Sequence, residues 1–175
     1  VNDLLLLSRL ENDENIAKNQ IIDMPNLMNQ LFDDAQAYNV DYGHTLNLDI
    51  DSHCDLIGSD MEIASAFSNL ITNAIKYTPK GGTVTMGWHD DSESAYFVVE
   101  DTGIGIDPKH VPRLTERFYR VDSDRSRRTG GTGLGLAIVK HVLMQHQAQL
   151  KIDSRENQGS TFKVIFPKER LSFPD

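Results

Sequence analysis

The sequence predicts an α+β domain: a two-layer α/β sandwich in which one mixed, largely antiparallel sheet is covered on one face by three helices. Three observations carry this. Ile63, Ala66, Phe67, Leu70, Ile71 and Ala74 recur at helical spacing and draw one apolar stripe along a helix from near Ser59 to the proline at 79. Thr83 to His89 and Ala95 to Val99 read as paired strands across the polar connection at 90–93, and Leu150 to Ile152 with Thr161 to Phe166 as a second pair. Apolar-periodic stretches from about Pro25 to Asn39 and from Leu134 to about His146 supply two further helices.

Composition narrows the function. The 175 residues suffice for one full domain and a short appendage, and a net charge of −9 argues against sequence-independent binding of nucleic acid. The one cysteine, Cys54, excludes an internal disulfide framework and reads as a packing residue suited to a reducing cytosol. No run approaches the roughly 18 apolar residues of a membrane span. The start has neither the cationic flank nor the cleavage site of a signal peptide. The chain opens in mid-helix and reads as a piece of something longer, the soluble end if the parent is a membrane protein.

In chain order, residues 1 to about 14 look like a helix tail whose Leu4, Leu5, Leu6, Leu7 and Leu10 spread over more than one face, as suits a bundle interior or a dimer seam. A polar linker ends by Gln20, and Ile21 to Met24 could form a short edge strand. The second helix opens with Pro25 in its first turn and buries Leu27, Leu31, Ala35 and Tyr38. Thr45 to Ile50 alternates as a strand, and Leu56 to Gly58 is another short one. Residues 107–132 are irregular and rich in arginine (Arg113, Arg117, Arg120, Arg125, Arg127, Arg128), the mark of a functional lid. A turn at 157–159 precedes the last strand.

Four stretches have the look of chemistry. Asn69, Asn73, Lys76 and Tyr77 lie off the apolar stripe; Asn is a poor residue for a helix interior, and amide oxygens for Mg²⁺, a cation for phosphate and a ring for a base would fit, against the blander reading of a solvated face. Asp101, Gly103 and Gly105 end a buried strand with an acceptor for an amino group and backbone open to a planar ligand, or else form an ordinary turn. Gly130, Gly131, Thr132, Gly133, Leu134 and Gly135 lead straight into a helix, where free amides can cradle phosphate. No hydrophobic strand precedes these glycines and no Lys-Ser or Lys-Thr follows them, so neither the dinucleotide fingerprint nor the Walker pattern applies. Phe118 and Arg120 stand just before the basic segment, where Arg120 could reach a terminal phosphate or merely form surface ion pairs.

In this order and spacing the chain resembles the catalytic, ATP-binding domain of sensor histidine kinases, which share the Bergerat-type fold with DNA gyrase, the Hsp90 chaperones and MutL. The resemblance covers residues 20 to 168 and implies the site. Asn73 would be the Mg²⁺ ligand, Asn69 and Lys76 would serve the phosphates, and Tyr77 would pack on adenine. Asp101 would take the adenine amino group beside Gly103 and Gly105. Phe118 and Arg120 match the F box and its arginine, Gly131, Thr132, Gly133, Leu134 and Gly135 the second glycine box, and Gly159 with Thr161 the third. Asn69, Lys76 and Arg120 would be the catalytic set, with ATP and Mg²⁺ bound. Residues 1–15 resemble the end of the second dimerisation helix, 16–20 a linker, 21–168 the catalytic domain and 169–175 a tail. Pro112 to Asp122 and Gly133 to His141 are similar, more narrowly, to phosphate-regulon sensor kinases.

The resemblance also implies a reaction. Hydrolases of this fold carry a Glu four residues before the metal-binding Asn; here that position is Asn69, whose amide cannot act as a base near neutral pH. The γ-phosphoryl group should then pass to a His on a dimerisation helix and on to an Asp of a response regulator, in a homodimeric parent whose cytoplasmic portion this is. None of the six histidines (His44, His53, His89, His110, His141, His146) has an acidic follower within such a helix, so the chain is expected to bind ATP without phosphorylating itself. The rivals are an ATPase of the gyrase or chaperone type and a non-catalytic, nucleotide-dependent docking module.

Overall fold

The computed structural model describes residues 2–12, 19–120 and 134–174. Helix α1 (Asn2–Asn12) is followed by strand β1 (Gln20–Ile22), helix α2 (Met24–Tyr38), strands β2 (Thr45–Ile50) and β3 (Asp55–Gly58), and helix α3 (Asp60–Lys76). Strands β4 (Thr83–Asp90) and β5 (Ser94–Asp101) come next, then a 3₁₀ turn over Pro108–Arg113, helix α4 (Gly135–Gln145), and strands β6 (Gln149–Arg155), β7 (Gly159–Pro167) and β8 (Leu171–Ser172). The predicted class holds. The principal sheet has the order β2-β4-β5-β7-β6, mixed because β2 runs parallel to β4 while every other pair is antiparallel.

Local chemistry explains where the helices begin and stop. Ser59 caps α3 by accepting a hydrogen bond from the Glu62 amide at 3.4 Å, and Asp23 caps α2 through the Asn26 amide at 3.1 Å with Pro25 in the first turn. Helix α3 stops at Lys76, ahead of Pro79, which disfavours helical geometry in Thr78, and the Thr78 hydroxyl donates to the Ala74 carbonyl at 2.7 Å, occupying one of the oxygens that the helix end leaves over. At the opposite end of α3 the wholly buried His146 accepts from the Ser59 amide through Nε2 at 3.0 Å, while its Nδ1 lies 2.7 Å from the Val142 carbonyl. The two bonds fix the neutral tautomer with the proton on Nδ1 and tie the start of α3 to the end of α4. Gly58 makes room for that ring: a Cβ there would stand 2.5 Å from His146 Cδ2.

The core lies between the principal sheet and α2, α3 and α4. Phe67 on α3 stacks on Phe97 of β5 with ring centroids 3.9 Å apart and planes 4° from parallel, and Phe166 of β7 meets Phe67 and Trp88 edge-on at 6.1 Å. Trp88 satisfies its buried N–H on the Cys54 carbonyl at 2.9 Å. Cys54 is itself buried, and burial pushes its thiol up to about 11, so it stays a protonated packing group, as expected. Helix α1 lies against α4 with Leu7 fully buried, while Leu4 and Leu5 face solvent. Among the described residues no helix is long and apolar enough to cross a membrane.

One expectation changes. The short strands do not extend the principal sheet but form a second sheet in the order β1-β3-β8, with Ile22, Leu56 and Leu171 turned to the core. Strands of two to four residues offer only one or two inward side chains each, enough to close a corner of the core but not to widen a five-stranded sheet. The segment read as a C-terminal tail therefore contains a strand. We expect Phe67→Ala to cost about 3–5 kcal/mol of folding stability, because it removes a fully buried ring that touches two others; urea denaturation measures this, and a loss under about 1 kcal/mol would mean the aromatic cluster is not the centre of the core.

Candidate functional site

The end of α3, the loop after β5 and the β6–β7 turn converge, the start of α4 meets α3 beside them, and at Gly103 and Gly105 the backbone contacts leave no room for a side chain. Gly103 packs against the end of α3 so closely that a Cβ would lie 2.5 Å from the Tyr77 carbonyl and 3.1 Å from the Thr78 hydroxyl. The Ile104 amide then donates to that Tyr77 carbonyl at 3.3 Å. Gly105 takes φ +68° and a Cβ there would stand 1.9 Å from the Arg155 carbonyl, so only glycine fits. The Asn157 amide donates to the Ile104 carbonyl at 2.5 Å, and the Ile106 amide to the Ser154 hydroxyl at 2.7 Å. The loop is thus held on one side by α3 and on the other by β6–β7.

Asp101 sits at the centre of this junction. It is 7% exposed and accepts a hydrogen bond within its own loop, at 2.8 Å from the Gly103 amide, while the Ser160 amide of the neighbouring strand also favours its charged form. Burial nevertheless dominates and holds the carboxyl above the usual carboxylate range; Glu100 acts in the same direction, and the two amide bonds oppose it. A carboxylate so placed can accept from an exocyclic amino group such as that of a purine.

On α3, the Asn69 amide nitrogen donates back to the Ser65 carbonyl at 3.0 Å, leaving Oδ1 toward the first residue of α4: a Cβ on Gly135 would lie 3.3 Å from it. One and two turns on, Asn73 and Lys76 are half-buried and, among the described residues, neither side chain has a hydrogen-bond or ion-pair partner. An amide oxygen and an ammonium left unengaged beside a helix start suit a hydrated hard cation and phosphate oxygens. Among the described residues no group of three or more His, Cys, Asp and Glu could hold a metal, so a cation here would rely on amide and ligand oxygens. Tyr77 caps α3, its amide donating to the Asn73 carbonyl at 3.0 Å. Leu134 is buried at the start of α4. Gly131, Thr132 and Gly133, with Arg125, Arg127 and Arg128, lie outside the described residues.

Two sequence expectations need correction or completion. Thr161 pairs with Glu100 and Asp153, and the pleat turns it to the face of the sheet opposite Asp101. Ser160, which pairs with Asp101 and Ser154, occupies the inner face instead, with its hydroxyl 2.7 Å from that of Ser154. Alternation outward from Phe166, Val164 and Phe162 reveals this without a structure. In the arginine-rich segment, Phe118 is 59% exposed with φ +62°, and Arg120 is half-buried without an ion-pair partner among the described residues. Tyr119 between them meets His110 and Arg113, a set of contacts that residue type alone did not flag.

The raised pKa of Asp101 fixes a sign. A carboxyl whose folded pKa exceeds its unfolded value favours folding while protonated, and that contribution is lost as pH rises through the folded pKa. The unsubstituted chain should therefore lose thermal stability relative to Asp101→Asn as pH rises above the ordinary carboxylate range; a difference in melting temperature that does not change with pH would contradict the assignment.

Comparison with known proteins places this geometry. Residues 58–170 match the family described as histidine kinase-, DNA gyrase B-, and HSP90-like ATPase. The phosphate regulon sensor protein PhoR of Pseudomonas aeruginosa is 51% identical over 172 residues, covering 98% of this chain and 39% of that protein. PhoR of Haemophilus influenzae is 45% identical over 146 residues, covering 83% of this chain and 34% of that protein. The chain therefore spans little more than a third of the length of these relatives. Among solved structures, the mycobacterial sensor histidine kinase MprB aligns with a TM-score of 0.75 at 29% identity over 85% of this chain and 97% of that one. Full-length ShkA in complex with AMPPNP aligns at 0.84 over 99% of this chain and 35% of that one, a likeness of fold at 23% identity.

Proposed function

Because the chain belongs to the family of histidine kinase-, DNA gyrase B- and HSP90-like ATPases, we propose that it is the ATP-binding catalytic domain of a phosphate-regulon-type sensor histidine kinase. In this reading it donates the γ-phosphoryl group of Mg-ATP to a histidine on a dimerisation helix. The observation that carries the proposal is the convergence of the α3 end, the Asp101 loop and the α4 start on one side of the principal sheet.

Each residue has a task that its surroundings favour. Asp101 accepts from the adenine amino group, and the loop of Gly103 and Gly105 lies along the base with Tyr77 beside it. Ser160, rather than Thr161, supports Asp101. Asn69 and Lys76 serve the phosphates together with Gly131, Thr132, Gly133, Leu134 and Gly135, where amides at a helix start attract negative charge. Arg120, with Phe118 as its near neighbour, meets the terminal phosphate. Asn73 would hold Mg²⁺, which when bound neutralises phosphate charge and fixes the phosphate geometry. The domain's own contribution is positioning and charge compensation. Asn69 offers no base to activate water, which favours transfer over hydrolysis and weighs against a gyrase- or chaperone-type ATPase.

No histidine of the chain has the acidic follower on a dimerisation helix that the acceptor carries in the kinases it resembles. His44 and His146 are buried and hydrogen-bonded to helix carbonyls, His89 lies 2.7 Å from Asp51 near the end of β4, and His110 meets Tyr119. Helix α1 carries no histidine. We therefore place the acceptor on a dimerisation helix of a homodimeric parent, a membrane-anchored sensor with this domain on its cytoplasmic side. The phosphoryl group then goes to an aspartate of a response regulator, by analogy with the phosphate regulon sensors the chain resembles.

Calorimetric titration with a non-hydrolysable ATP analogue should show saturable binding near one site per chain that strengthens with Mg²⁺. Asn73→Ala should remove the magnesium dependence, weakening Mg-nucleotide binding by roughly tenfold or more while leaving the fold intact. Binding that is unaffected by both the metal and the substitution would withdraw the metal role from Asn73, and no binding at all would leave a docking module as the reading.

A further inference from the structure

Tyr119 is held from three directions. Its hydroxyl hydrogen-bonds His110 Nδ1, with the two rings 5.9 Å apart. The Arg113 guanidinium lies over its ring, 4.5 Å from the centroid, and its amide donates to the Glu116 carbonyl at 3.2 Å. Arg113 is in turn fixed by Glu116, whose carboxylate accepts from Nε at 3.1 Å and from Nη2 at 3.0 Å. His110 and Arg113 belong to the 3₁₀ turn that Asp107 caps and Leu114 anchors from the core side, so the knot is built on the folded body.

The neighbours of this anchored ring are the unusual residues. Phe118 takes φ +62°, a conformation that β-carbon-bearing residues rarely adopt, and leaves most of its ring in solvent, gaining little from burial to offset the strain. What holds that backbone is therefore its surroundings, and the tightest of these is the Tyr119 knot. Arg120 follows at once, half-buried and without an ion-pair partner among the described residues.

Resting on the reading of Arg120 as the residue that meets the terminal phosphate, we propose that Tyr119 and His110 are positioning residues. By pinning the ring between Phe118 and Arg120 they set the direction in which the Arg120 guanidinium leaves the folded body, and so set the domain's preference for nucleoside triphosphate over diphosphate. Without the hydroxyl–imidazole bond the backbone at Phe118 relaxes and Arg120 no longer approaches the γ-phosphate from a fixed root. The ADP moiety, held by the Asp101 loop and α3, is untouched.

The test measures affinity for a non-hydrolysable ATP analogue and for ADP, both with Mg²⁺, in the 175-residue chain and in Arg120→Ala, Tyr119→Phe, His110→Ala and His110→Asn. Losing a charge-assisted contact to the terminal phosphate should reduce the triphosphate preference of Arg120→Ala by roughly tenfold or more. Tyr119→Phe, which keeps the ring under Arg113, and His110→Ala should lose most of the same preference with ADP affinity and melting temperature unchanged. His110→Asn, which keeps a polar atom near the hydroxyl, should restore it in part. A full triphosphate preference in Tyr119→Phe and His110→Ala, beside its loss in Arg120→Ala, overturns the positioning role alone. Unchanged preference in Arg120→Ala overturns the phosphate role of Arg120 and this inference with it. Loss of ADP binding in Tyr119→Phe would show a general structural effect and likewise overturn it.

Discussion

The site depends on one buried carboxyl, Asp101, and on the backbone that has to crowd around it. A charge at the end of a buried strand is costly, and the chain offsets that cost with the Gly103 and Ser160 amides. Those two amides come from a loop and a strand far apart in sequence, so satisfying the carboxyl ties the β5 loop to β7, and the Ile104 amide on the Tyr77 carbonyl joins the α3 end to the same loop. Glycine follows as a consequence. At Gly103 and Gly105 the neighbouring carbonyls approach within distances no side chain tolerates, and one of the two positions also requires positive φ. The desolvation that lifts the Asp101 pKa is the same desolvation that strengthens a hydrogen bond to a ligand's amino group.

A second constraint is the relation between α3 and α4. The neutral His146 joins the start of α3 to the end of α4, and Phe67 seats α3 on the sheet. With those contacts set, the start of α4 reaches the middle of α3, where Gly135 approaches Asn69. The Asn69 amide oxygen then faces the start of α4 across Gly135, with Asn73 one turn and Lys76 two turns further along α3. In the proposed function this is where phosphates and Mg²⁺ sit, and the specificity of the chemistry rests on what is missing there: a carboxylate at position 69 to activate water.

Much of this was legible in the sequence because it depends on local rules. The stripe from Ile63 to Ala74, the start near Ser59 and the stop before Pro79 define α3 without reference to anything distant, and the glycines that follow Asp101 announce close backbone approach. The small β1-β3-β8 sheet was not legible, since strands of two to four residues carry too little alternation to say which sheet they join. The Thr161 hydroxyl draws attention by residue type, but the parity of Phe162, Val164 and Phe166 turns Ser160 rather than Thr161 to the face of Asp101. The contact of His110 with Tyr119 had no periodic signature, because a 3₁₀ turn interrupted by Pro112 sets it.

The central claim is that this domain binds ATP in order to transfer its γ-phosphoryl group rather than to hydrolyse it. The most direct measurement mixes the chain with γ-labelled ATP, Mg²⁺ and a separately produced dimerisation domain of a phosphate-regulon sensor kinase, and follows the label. The account predicts acid-labile, base-stable phosphate on the acceptor domain and little free phosphate when that domain is left out. Rapid release of free phosphate with no label on the acceptor would contradict it.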